Sequence, residues 1–177
     1  MLKKIISKKS KISGKGLFAK EEIKKGKTIC FMEGDLIDID EMIGRVDNDF
    51  EEGSDPLGVD YEMYIDLKEP FRSANHSCSP NAFLRKRNEL VALKNIKKGE
   101  EITFDYSTTM NDNKEKIELS GGSLWTMKCK CGSKNCRGIV DQFKNLPLEK
   151  QKYYIKNKFA PDFILSSASI NATSFVC

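Results

Sequence analysis

At 177 residues, with 39% hydrophobic and 32% charged residues, the chain has the size and balance of one globular domain with a core of its own. Its apolar runs fall short of the ~18 residues a membrane-spanning helix needs, which excludes a membrane protein as a reading. The net charge is +4, but residues 1–27 hold ten lysines and two glutamates, residues 28–70 fourteen acids and two bases, and the remainder eighteen bases and ten acids.

Short alternating apolar runs bounded by Gly, Asn, Asp and Pro dominate the first hundred residues. Strands are expected at Gly16–Ala19, Thr28–Met32, Tyr61–Leu67, Ala82–Leu84, Leu90–Leu93 and Ile102–Phe104. Leu36 to Val46 carries apolar residues at helical spacing and predicts one short helix, and Asp47 to Gly58 reads as loop. Ser107 to Ser123 is polar and aperiodic. A helix is expected after Pro147, with Leu148, Gln151, Tyr154, Ile155 and Lys158 on one face and Ala160-Pro161 as its stop. Ser166 to Cys177 reads as a frayed tail.

The N-terminus is basic but lacks a sustained apolar segment and a small-residue cleavage site, so it does not read as a secretory signal. A reducing, cytoplasmic compartment is therefore expected, or delivery into a host cell, and in such a compartment the six cysteines are metal ligands or buried thiols. Cys129-x-Cys131-x4-Cys136 crowds three thiols into eight residues. A structural zinc ion wants four thiolate or imidazole ligands in a tetrahedron, so a fourth comes from elsewhere, and Cys78 is the candidate. Cys30, inside an expected strand, reads as core, and Cys177 as functionless.

A second constellation is Phe71-Arg72-Ser-Ala-Asn75-His76-Ser77-Cys78-Ser-Pro80-Asn81, followed by Gly99-Glu100-Glu101-Ile102-Thr103-Phe104-Asp105-Tyr106. With Gly14-Lys15-Gly16-Leu17-Phe18-Ala19 upstream and the cysteines downstream, in this order, these segments resemble the SET-domain lysine methyltransferases with a post-SET zinc motif, in their small stand-alone bacterial and viral form. The resemblance spans about residues 10–140 and rests on the two long motifs and the cysteine spacing; a lone G-x-G is weak.

The resemblance implies a mostly-β SET (β-clip) fold with short helices and a pseudoknot. It also implies a division into a 1–9 extension, a 10–107 SET domain with a variable insert at about 35–60, a 108–140 post-SET segment, a 141–165 helical segment and a 166–177 tail. It further implies S-adenosylmethionine held by Lys15, Gly16, Leu17, Arg72, Asn75, His76 and Tyr106, with Gly14 and Gly16 letting the backbone approach the cofactor, and zinc held by Cys78, Cys129, Cys131 and Cys136. Tyr106 matches the catalytic tyrosine. Tyr61 is a second channel candidate, with Tyr64 near enough that the register stays open. Phe104 matches the position where the family chooses between phenylalanine and tyrosine, and phenylalanine leaves volume for di- or trimethylation.

The acidic block falls where the variable insert would form a peptide groove, and complementary charge speeds the encounter with a basic, histone-like substrate; its plain alternative is a solvated face. Two rivals stand beside this reading. One is a catalytically silent SET-fold binding module. The other, a small zinc-containing nucleic-acid binder, is disfavoured because the bases are scattered, aromatics do not interleave with them, and the acidic block repels phosphate.

Overall fold

The computed structural model describes residues 4–47 and 56–173. Three small antiparallel sheets make the body. One has the order β1 (Ile5–Lys9), β2 (Lys15–Ala19), β9 (Glu101–Ile102); the second β3 (Thr28–Phe31), β8 (Glu89–Ala92), β7 (Ala82–Arg85); the third β4 (Gly34–Asp38), β6 (Met63–Leu67), β5 (Pro56–Asp60). Their inner faces share one core, in which Leu17, Ile29, Met32, Leu84, Leu90, Ile96 and Ile102 are all but sealed from solvent. Burying each such side chain contributes about 1.5–3 kcal/mol, so the body is held by apolar burial.

Residues 1–9, expected as an extension, carry β1, whose Ile5 to Lys9 pair in register with Ala19 to Lys15. The run Ile5-Ile6 between lysines gave no alternation to announce a strand, yet Ile5 is buried while the lysines stay at the sheet edge. The helix expected over Leu36–Val46 is shorter and preceded by a strand: β4 ends at Asp38, whose carboxylate accepts from the Glu41 N–H and so starts α1 (Ile39–Asp47). Ile39, Met42 and Ile43 of α1 then pack with Ile37, Tyr64, Ile117 and Leu124.

After β9 the chain makes a 3-10 turn (Tyr106–Thr109), α2 (Lys114–Leu119), a two-stranded ribbon of β10 (Met127–Lys128) and β11 (Ile139–Val140), α3 (Leu148–Asn157) and α4 (Asp162–Thr173). Helix α3 starts after Pro147 as expected and ends at Lys158, left-handed at φ 56°. Helix α4 continues to Thr173 through much of the stretch read as a tail. Ile164 and Phe163 pack there with Phe143, Leu146 and Tyr154, which gives the helix a buried anchor that a Ser- and Ala-rich composition hides. The Phe159 ring lies 4.5 Å from that of Phe83 and fastens the helices to β7. Among the described residues no helix is long and apolar enough to cross a membrane.

Candidate active site and cysteine centre

The site forms where two motif segments run side by side. Residues 75–77 lie parallel to residue 104: Phe104 N–H donates to Asn75 O at 3.3 Å, and Ser77 N–H donates to Phe104 O at 3.0 Å. This pairing sets Arg72, Asn75 and His76 beside Phe104, Asp105 and Tyr106.

Two cavities meet at Tyr106 and Arg72. The first, of about 420 Å³, is lined by Gly14, Lys15, Glu69, Asn75, His76 and Met127, with Lys128 and Lys130 at its rim. The second, of about 340 Å³, is more apolar, and its walls include Met42, Leu57, Tyr64, Leu67, Phe104 and Trp125. Both have the size of small-molecule sites. Tyr106 donates its hydroxyl proton to Ala74 O at 2.8 Å, which turns the oxygen's acceptor face to other donors, and its ring lies 4.9 Å from that of the buried Phe104.

The other residues picked from the sequence fall unequally. Asn75 Nδ2 lies within hydrogen-bonding distance of the carbonyls of Ser13 (3.2 Å) and Lys15 (2.9 Å) and of Glu101 Oε1 (2.9 Å), so it clamps the Gly14 loop from below the cavity. Arg72 is anchored by Leu67 O and Asp66, each at 2.7 Å. Gly14, at φ +39°, sits at the cavity wall with open space around it. Gly16 does not line it: a side chain there would meet Glu101 Oε1 at 2.3 Å, so this glycine makes room for a carboxylate of the protein itself. Leu17 is fully buried in the core opposite Ile102.

Tyr61 is 63% exposed and lines neither cavity, whereas Tyr64 is buried in the wall of the apolar one. Strand alternation explains the difference, since β6 begins at Met63 and turns Tyr64 inward, while Tyr61 belongs to the turn before it. Tyr64 Oη donates to Asp112 Oδ1 at 2.7 Å, and the fully buried Gln142 donates to Asp112 Oδ2 at 2.8 Å. Burial and the Asp112 charge together push the Tyr64 phenol well above its ordinary range.

Part of the acidic block is engaged in ion pairs. Asp66 pairs with Arg45 and Arg72, Asp35 with Lys68, and Asp40 and Glu62 with Lys116. Asp47 closes α1, and Asp49, Glu51, Glu52 and Asp55 lie outside the described residues, as does Cys177.

Below the first cavity, His76 Nε2 and the sulfurs of Cys78, Cys129 and Cys131 lie within 4.8 Å of one another. Cys78 and Cys129 are 3.7 Å apart, matching the ~3.8 Å between corners of a tetrahedron with metal–sulfur bonds of ~2.3 Å. Cys136, also picked from the sequence, is exposed and interacts with Cys129 without joining that tight group. The imidazole cannot take its place in this geometry. Tyr106 N–H donates to His76 Nδ1 at 3.2 Å, so in the neutral ring Nδ1 carries the lone pair and Nε2 the proton, aimed at Cys78 Sγ 3.3 Å away. Burial holds the ring neutral, with its pKa pushed down to about 4.

Burial opposes ionisation of Cys131, yet hydrogen bonds from Ser133 and its neighbours lower it to about 6, while burial and the adjoining thiols raise Cys129.

One residue went unnoticed in the sequence. Asp105, 2% exposed, accepts from both ends of the Arg137 guanidinium (2.7 and 2.6 Å) and from Tyr154 Oη (2.8 Å), and its Oδ1 lies 3.2 Å from Ser107 N. Nothing in a Phe-Asp-Tyr triplet announces that its acid is buried; only the fold brings residues 137 and 154 to it.

Residues 14–107 match the SET domain family. The chain is 31% identical over 172 residues to histone-lysine N-methyltransferase mes-4 of Caenorhabditis elegans, covering 79% of this chain and 18% of that protein. It is 32% identical over 162 residues to the human histone-lysine N-methyltransferase described as H3 lysine-36 specific, covering 82% and 6%. The chain thus spans less than a fifth of the length of these relatives. A humanized mutant of the Chaetomium thermophilum Polycomb Repressive Complex 2 superposes with a TM-score of 0.53 at 27% identity over 59% of this chain and 15% of that one. The methyltransferase domain of human SETMAR shares the fold, with a TM-score of 0.58 at 24% identity over 76% and 56% of the two chains. With its three antiparallel sheets, its adjoining motif segments and its C-terminal cysteine centre, the chain belongs to the SET-domain family.

Proposed function

We propose that the chain is an S-adenosylmethionine-dependent protein-lysine N-methyltransferase with a structural zinc ion. The observation that carries this reading is the meeting of two cavities at one tyrosine, a polar one and an apolar one, because methyl transfer needs donor and amine to arrive from opposite sides and in line. The polar cavity fits the cofactor: Lys15, Arg72, Lys128 and Lys130 offer cations to an amino-acid carboxylate, and the open Gly14 loop offers backbone. S-adenosylmethionine, when bound, supplies an electrophilic methyl group on a sulfonium.

The protein's own residues prepare the amine. Asp112 on the wall of the apolar cavity attracts a cationic lysine, and the Leu57, Leu67 and Phe104 side chains then favour its neutral form by excluding water, lowering a pKa that is ~10.4 in solution. The Tyr106 oxygen, its proton engaged by Ala74 O, accepts an N–H and turns the nitrogen lone pair toward the polar cavity. Tyr64, rather than Tyr61, supplies the second aromatic wall. Phe104 adds no hydroxyl to hold a water, which leaves room for successive transfers and a di- or trimethyl product. Cys78, Cys129, Cys131 and Cys136 hold the zinc, with the His76 Nε2–H as a hydrogen bond to the Cys78 sulfur; the metal cross-links the segment that walls the cofactor cavity. The acid-rich residues 28–70, where their charge is not met by ion pairs within the fold, favour a basic, histone-like protein as substrate.

The test is incubation of the zinc-replete protein with labelled S-adenosylmethionine and a mixture of basic proteins, beside a Tyr106→Phe control. Label on lysine with the wild type alone is expected, with dimethyl and trimethyl products. Cofactor binding with no transfer to any of them would favour a silent binding module, and product that stops at monomethyl-lysine would overturn the Phe104 assignment.

A further inference from the structure

The sulfur of Cys78 is joined to the backbone around Tyr106 by two separate routes. In the first, His76 Nε2–H points at Cys78 Sγ at 3.3 Å, and the same ring accepts the Tyr106 N–H at Nδ1 at 3.2 Å. In the second, the Arg137 N–H donates to Cys78 Sγ at 3.4 Å, and its guanidinium forks onto Asp105 at 2.7 and 2.6 Å, with a further 3.1 Å bond to Ser107 Oγ. Arg137 differs from the other bases of the cysteine segment. Lys128, Lys130 and Lys134 are exposed, while the Arg137 side chain is 12% exposed and meets a carboxylate that is 1% exposed. On its far side the same carboxylate accepts from the buried Tyr154 hydroxyl of α3. Charges taken so far out of water persist only where each is fully met, which makes the arrangement intolerant of intermediate positions.

We propose that His76 and Arg137 are positioning residues that transmit the order of the cysteine centre to Tyr106, His76 directly through the Tyr106 N–H and Arg137 through Asp105, with Tyr154 as the brace of that carboxylate. His76, read from the sequence as a cofactor contact, acts here through its ring on both the cysteine centre and the tyrosine. The proposal rests on the methyltransferase reading for its catalytic consequence, but the coupling itself is a property of the folded chain.

Amide hydrogen exchange on the full chain, with metal content measured in parallel, separates the two. In the metal-loaded wild type, the Tyr106 and Ser107 amides are expected to be protected. Removing the metal should speed their exchange at least about tenfold while Leu84 and Leu90 of β7 and β8 stay unchanged. Arg137→Met should do the same with metal still bound, lowering kcat about tenfold or more with the cofactor KM within about threefold, and Arg137→Lys should recover part of both. Tyr154→Phe, which removes one hydroxyl and cannot prevent folding by charge burial, should shift the same two amides by a smaller factor.

Unchanged Tyr106 and Ser107 exchange after metal removal, or in both the Arg137→Met and Tyr154→Phe variants, overturns the proposal, as does acceleration spread evenly over Leu84 and Leu90. A wild type that couples exchange to metal but methylates nothing would sink the functional reading and leave the coupling standing. An active wild type without coupling would do the reverse.

Discussion

The body of the molecule and the segment from β10 to β11 are held by different physics. In the body, the leucines, isoleucines and methionine of three sheets share one apolar core, and no single contact decides whether it forms. The ribbon consists of two residue pairs, Met127 with Val140 and Lys128 with Ile139, and of the residues between its strands none is buried. Sulfurs and one buried guanidinium fasten it instead. A core of many small contributions degrades gradually, whereas a segment tied by a few charged groups and clustered sulfurs is either fastened or loose. The side of the polar cavity formed by Met127, Lys128 and Lys130 belongs to the second kind.

The largest effect should come from cutting the ribbon's fastening. Cys129→Ser, or chelation of the wild type, is expected to abolish methyl transfer and to open residues 127–140 to proteolysis, because binding energy at such a centre is folding energy. The melting of the body should move little, and metal stoichiometry checks the cause. Cutting into the core should do the opposite. Leu84→Ala is expected to cost about 2–5 kcal/mol in denaturant titration, through lost burial and a cavity, without releasing metal.

Smaller still is the wall of the apolar cavity. Tyr64→Phe removes one hydroxyl bonded to Asp112 and should cost about 1 kcal/mol in stability and raise the KM for a basic peptide, whereas Tyr61→Phe should leave both unchanged. Equal effects of the two substitutions would contradict the assignment of Tyr64.

A last effect, confined to acid pH, tests a charged clip within the body. Arg85 and the Thr28 hydroxyl bind Glu89 and hold its carboxyl down at about 2. Since the folded carboxyl is the stronger acid, its contribution is complete above the unfolded value of ~4.3 and is lost as pH falls from there toward about 2. Glu89→Gln should flatten that part of the stability profile, measured by thermal melts between pH 5 and pH 2.

The sequence made legible what local chemistry or spacing encodes: the six expected strands, the start of α3 after Pro147, and the approach of Cys129 and Cys131 to Cys78. Illegible was whatever depends on which distant groups meet. Tyr61 and Tyr64 lie three residues apart, one in the turn before β6 and the other on its inward face. Gly16 reads from the sequence as a backbone approach to a ligand, and only the fold shows a further demand on it, room for Glu101 across the sheet. Asp105 was one acid among twenty-six until Arg137 and Tyr154 were brought to it from two later elements.

The parallel pairing of His76 with Phe104 also sets a cost in chain entropy. Between those residues lies the β7–β8 hairpin, whose own local closure shortens the span that the pairing has to bridge. Arg137 and Tyr154 reach Asp105 from 32 and 49 residues further along the chain. The surroundings of Tyr106 are therefore assembled from the contacts that are most distant in sequence and cost the chain most freedom to make.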